Sequence, residues 1–242
     1  AVKASTEFNK SMSGVSAVAG ATAAEMSQLR EAALQAGADT VFSASEAATA
    51  QGELAKAGVS VADILGGALA GSLGLAAAGQ LDLGQAAEIS AQALNIFGLA
   101  GDQTTRVADT LAAGANKSAA DVAQLGDALR QGGLLAAQTG LTLEETTGVL
   151  SLFADNALIG SDAGTSLKTM LQRLAPSTGP AADAMRELGL DFFDAQGAFV
   201  GIEEVAAQLQ DRLGGLSDEQ RQTALTTIFG SDAVRGASIL ME

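Results

Sequence analysis

"DILGGALAGSLGLAAAGQLD", residues 63–82, decides how the whole chain is read. Between Asp63 and Asp82 stand eighteen residues without a charge: five Gly, five Ala, five Leu, Ile64, Ser72 and Gln80. As one helix at ~1.5 Å per residue they would extend about 27 Å, close to the hydrocarbon thickness of a bilayer. Insertion energetics argue against a permanent span. Six large aliphatic residues, at about −0.3 to −0.6 kcal/mol each, contribute only about −2 to −4 kcal/mol before glycine and polar penalties. No aromatic belt flanks the stretch, and its ends are acidic where lysine or arginine would be expected. The stretch predicts two short helices, broken near Gly71–Gly74 and packed through small side chains inside a helical core. Gly67 and Gly71 supply the small-xxx-small spacing for that packing. Ile64, Leu65, Leu69, Leu73 and Leu75 are the residues that would insert if the segment left the core.

The rest of the composition points the same way. Of 242 residues 48% are hydrophobic but only 3% aromatic, with no Trp or Tyr. The apolar content is therefore Ala, Leu, Val and Ile, which favours closely packed helices over a sheet. The expected fold is mainly α, a compact multi-helix array of short capped helices. With no cysteine, neither disulfides nor thiolate metal sites contribute. The balance of 13 basic against 28 acidic residues gives −15. Such a surface repels phosphate backbones and anionic membranes, so no nucleic-acid binding is expected.

Helix starts recur along the chain. Thr22–Glu25, Ser43–Glu46, Thr142–Glu145 and Ser217–Gln220 fit the capping box, and Ser60–Asp63 is a weaker variant. Gly37, Gly58, Gly98, Gly114, Gly140 and Gly189 are the matching stops. Residues 1–40 read as a helical arm leading from a further N-terminal part, and 41–242 as a core domain with a sub-division near 138–142. One stretch breaks the helical rhythm. "GLDFFDAQGAFVGIEE" alternates around the turn "DAQG" and predicts a small β-hairpin at about 190–200.

Chemistry-bearing constellations are scarce. With no histidine and no cysteine, no His-based triad, Cys nucleophile or imidazole–thiolate metal site is available. Glu144/Glu145 and Glu203/Glu204 are paired carboxylates, but each pair falls in the first turn of an expected helix, where it compensates the dipole. "DNALIGSDAGTSL", residues 155–167, is rich in oxygen ligands yet lacks the spacing and terminal Glu of a calcium loop. It reads as a tight helix–helix connection with Ser161 or Asp162 as cap. No enzyme activity, cofactor or metal is expected.

Several stretches together resemble a known family. "TVFSASEAATAQGELAKAGVS", "GLAAAGQLDLGQAAEISAQALNIFGL", "VADTLAAGANKSAADVAQLGDAL", "GLTLEETTGVLSLFADNALIGSDAGTSLKTMLQRL" and "LGLDFFDAQGAFVGIEEVAAQL", closing on "IFGSDA", stand in this order. Over about residues 38–240 they resemble the core region of phage tail tape measure proteins, the minor tail protein family. The resemblance implies a structural role: setting tail length, filling the tail tube or tip, and leaving ahead of the DNA on infection. It implies partners: other copies of the chain as a trimer or other small oligomer, tail tube and tail-tip or baseplate proteins, and tail chaperones during assembly. It implies a place in the lumen or tip of the virion tail, after assembly in the bacterial host cytoplasm. Some members carry peptidoglycan-cleaving domains elsewhere, and nothing in this sequence matches one. Such proteins are several times longer, so the chain is expected to be part of a larger or processed protein. The alternative is a membrane-active, pore-forming helical protein, with membrane contact only after ejection. Phe192, Phe193 and Phe199 on the hairpin, with Ile159, Gly160 and Gly164 at the helix connection, are the candidate partner or self-contacts. Packing of those aromatics onto their own core is the competing expectation.

Overall fold

Side chains that accept from the free N–H groups of the next helix set where many of the described helices begin. In the computed structural model, which describes residues 2–176 and 178–242, Thr22 Oγ1 accepts from the Glu25 amide and Glu25 Oε2 accepts from the Thr22 amide at 2.8 Å. Ser43 and Glu46 repeat the arrangement, as do Thr142 with Glu145 and Ser217 with Gln220. Asp121 and Gln124 add one more box. Each satisfies two donors that the helix cannot satisfy itself.

The chain divides into two compact units, residues 1–113 and 114–242. The first holds α1 (Val2–Ala19), α2 (Ala23–Asp39), α3 (Ala44–Lys56), α4 (Val61–Asp63), α5 (Leu69–Gly79), α6 (Leu83–Phe97) and most of α7 (Thr104–Asn116). A π turn, Ile64–Ala68, joins α4 to α5, and a 3₁₀ turn, Gly101–Gln103, precedes α7. α3 is the central element. It packs on α1, α2 and α6, and Ala47, Ala48, Ala50 and Leu54 are buried. Small side chains let these helices approach closely, which suits a chain poor in aromatics. Residues 1–40 supply α1 and α2, whose Phe8, Met12, Val15 and Leu29 are buried in this unit.

The second unit holds α8 (Val122–Thr139), α9 (Leu143–Asp155), α10 (Gly160–Gln172), α11 (Pro180–Leu188), α12 (Ile202–Leu213), α13 (Asp218–Phe229) and α14 (Val234–Met241). Its core centres on Phe153, Leu167, Phe192 and Phe229. α8 and α10 cross through glycine. A Cβ on Gly132 would lie 2.5 Å from the Gly164 carbonyl oxygen, and one on Gly164 would collide with the Ala128 carbonyl. No larger residue fits there without separating the helices.

Three expectations need correction. The β-hairpin does not form: the described residues contain no strand, only a single antiparallel bridge between Phe193 and Phe199. α11 ends at Leu188 and α12 begins at Ile202, so each arm is too short for a ladder, and the Asp194 side chain organises the turn instead. Asp194 Oδ1 accepts from the amides of Gln196 (2.9 Å) and Ala198 (2.8 Å). The break in the apolar stretch falls at Gly67 rather than at Gly71–Gly74. Gly37 and Gly114 lie inside α2 and α7 rather than ending them. Both are places of close approach: a Cβ on Gly37 would sit 2.5 Å from the Ala44 amide nitrogen, and one on Gly114 2.6 Å from Thr147 Cγ2.

Candidate functional site

The apolar stretch is held bent. Gly67 has φ +152°, which L residues rarely adopt, and the Leu69 amide reaches back to the Ile64 carbonyl across the π turn. Two close approaches fix the bend. A Cβ on Gly71 would lie 2.7 Å from the Thr104 carbonyl carbon, and a Cβ on Gly101 would collide with the Asp63 side chain. Thr104, fully buried, donates its hydroxyl to the Gly101 carbonyl at 2.6 Å. Ile64, Leu69 and Leu75 are buried, Leu73 is half-buried, and Leu65 is 36% exposed. Ala62, Gly66, Ala70, Gly74, Ala77 and Ala78 are also exposed. The outer face of the segment thus carries no polar side chain from Ile64 to Gly79.

In the second unit, the aromatic candidates separate. Phe192 is fully buried, whereas Phe193 and Phe199 are half-buried and pair with ring centroids 6.1 Å apart. Gly164 is taken up in the α8–α10 crossing. Ile159, 40% exposed, holds the N-cap position of α10 without a side-chain cap, and Gly160 follows at φ +58°. Ser161 and Asp162 fall within the first turn of α10, so neither is the cap expected from sequence. Arg235 on α14 closes this connection: its Nη2 donates to the carbonyls of Asn156 at 3.0 Å and Ala157 at 2.8 Å. Sequence reasoning missed it, because nothing local links an arginine to a turn so distant along the chain. A groove of about 560 Å³ between α11 and α13 is lined by residues including Ala184, Glu187, Leu188, Leu216 and Glu219.

The charged groups serve structure. Glu144 and Glu145 occupy the first turn of α9, and Glu203 and Glu204 that of α12. Hydrogen bonds from the Thr22 backbone and hydroxyl hold the Glu25 carboxyl below the ordinary glutamate range, and Ser43 does the same for Glu46. Among the described residues no three Asp or Glu side chains converge as a metal site would require.

The sequence profile of phage-related minor tail proteins matches residues 30–230. The chain belongs to that family. Among its relatives in the minor tail protein family is the tape measure protein of Pneumococcus phage Dp-1, 37% identical over 241 residues, which cover 100% of this chain and 21% of that protein. The probable tape measure protein of Escherichia phage P2 is 35% identical over 242 residues, covering 97% of this chain and 29% of that protein. The chain therefore spans less than a third of the length of these curated relatives. No solved structure matches it.

Proposed function

We propose that this chain is a segment of a tape measure protein: a non-enzymatic ruler that sets tail length, fills the tail tube or tip, and leaves ahead of the DNA. The observation that carries this reading is the alignment of 100% of the chain with a tape measure protein at 37% identity, and of 97% of it with a probable tape measure protein at 35%. The physical properties support it. A net charge of −15 keeps such a filler from adhering to DNA that later shares its channel. In residues 1–113, a core rich in alanine opens locally at lower cost than one built on large aromatics. Its partners are other copies of itself, tube and tip proteins, and assembly chaperones. The test is made in the full-length protein, by deleting internal helical segments and measuring assembled tails by electron microscopy. Tails should shorten by about 1.5 Å per helical residue removed; unchanged length would overturn the ruler.

A second reading, membrane contact during genome delivery, is favoured by one observation. Val61–Gly79 is 19 residues long with a mean hydropathy of 1.6, and only 39% of that window is buried. Flotation with phosphatidylcholine vesicles tests it. A chain that stays with the aqueous fraction under every condition tried has no such role.

A further inference from the structure

We infer that Gly67 is a pivot and that the Gly101–Thr105 turn is a clasp, which together keep the Val61–Gly79 segment bent until it meets an apolar phase. The inference rests on the membrane-contact reading and says how that contact is controlled. The bend is imposed at one residue: Gly67 alone leaves the right-handed helical region between Ile64 and Leu69, at φ +152°. On either side of it the backbone is helical, so rotation at this single position is enough to align α4 with α5. The clasp is formed by two glycine contacts, Gly101 against Asp63 before the pivot and Gly71 against Thr104 and Thr105 after it. The Thr104 hydroxyl bonded to the Gly101 carbonyl keeps the turn rigid.

Nothing on the outer face resists transfer to lipid. Gly66 and Gly74 have no atom within 4 Å of where a Cβ would stand, and the exposed positions Leu65, Ala70, Ala77 and Ala78 are apolar. Bent, the segment is two pieces, each too short to cross a bilayer. Straightened, its 19 residues extend about 28 Å, the length a hydrocarbon core requires. The buried Ser72 hydroxyl already donates to the Ala68 carbonyl at 2.8 Å, so its polar group stays satisfied in a continuous helix. Asp63 lies at the segment's N-terminal edge, where a carboxylate remains in the interface.

Because the chain has no cysteine, Ala62→Cys with Ala78→Cys provides the only two thiols for spin labels, both at exposed positions. Distances are measured by pulsed electron resonance in buffer and with phosphatidylcholine vesicles. The expected result is a shorter distance in buffer and one near 24 Å, the span of a straight helix, when vesicle-bound. Gly67→Ala, which cannot hold the bend without strain, and Gly101→Ala, which strikes Asp63, should each reach the straight state at roughly fivefold less lipid. Leu94→Ala, a cavity in the core of the same unit, serves as the control for general destabilisation. A vesicle-bound chain that stays bent overturns the pivot while leaving membrane contact standing. A lipid shift in Leu94→Ala equal to that in Gly101→Ala overturns the clasp. If no variant binds vesicles, the membrane-contact reading falls and this inference with it.

Discussion

In the second unit, Gly132 and Gly164 let two helices, α8 and α10, cross with backbone against backbone. In the first unit, Gly67 and Gly71 stand at the same four-residue spacing as Gly160 and Gly164, yet one bends its helix and only the other makes a close contact. The α8–α10 crossing is enclosed, with Ala128, Ala136, Ala163 and Leu167 buried around it. The bent segment has one face on the core and the other open. Small-residue spacing therefore specifies that backbones can approach, without specifying whether anything approaches. The enclosed crossing resists change, whereas the bent segment has a conformation left to adopt.

The largest effect should come from filling the enclosed crossing. Gly164→Leu forces apart α8 and α10 and should lower stability by about 3 kcal/mol or more. In calorimetry the loss belongs to the transition of residues 114–242; an unchanged thermogram would mean that the two helices do not cross so closely. Gly67→Ala should cost about 1–2 kcal/mol, from strain at a positive φ. Gly74→Ala, inside α5 with open space around it, should instead add about 0.5–1 kcal/mol. Opposite signs in urea titrations would show that the bend is built at one residue and not spread over the segment. Removal of Arg235, as Arg235→Ala, should cost about 1 kcal/mol by releasing two carbonyl partners, and should raise amide exchange around Ala157, which sits at φ +58°.

The smallest effect concerns acid. Glu25 and Glu46 have carboxyls lowered by their capping hydrogen bonds in the folded chain. Their contribution is therefore complete above the unfolded carboxylate pKa and is lost as pH falls through the lower folded value. Urea midpoints should drop in that acid window, and Glu46→Gln should flatten the dependence. A variant as acid-sensitive as the parent would remove this cap from the explanation.

Much of the helical outline was legible because its signals are local. Ser43 and Glu46 are three residues apart and cap each other whatever surrounds them; Gly140 and Gly189 end helices because they take up left-handed conformations. The same rule misplaced Gly37 and Gly114, whose missing side chains serve a neighbouring helix instead. α14 went unseen: its eight residues are too few for a periodic pattern to stand out. The aromatics of "LDFF" were legible as contact or core candidates, but not as belonging to a turn without strands.

By itself the sequence determined that the chain is helical, acidic and without histidine or thiol chemistry, and that it carries the family's order of motifs. These follow from residue type and short spacing. Only the tertiary structure decided that the uncharged stretch bends at Gly67, that Gly164 is sealed against Ala128, and that Arg235 holds the turn at Ala157. Each of these depends on which distant backbone lies opposite a given residue, and local propensity carries no record of that.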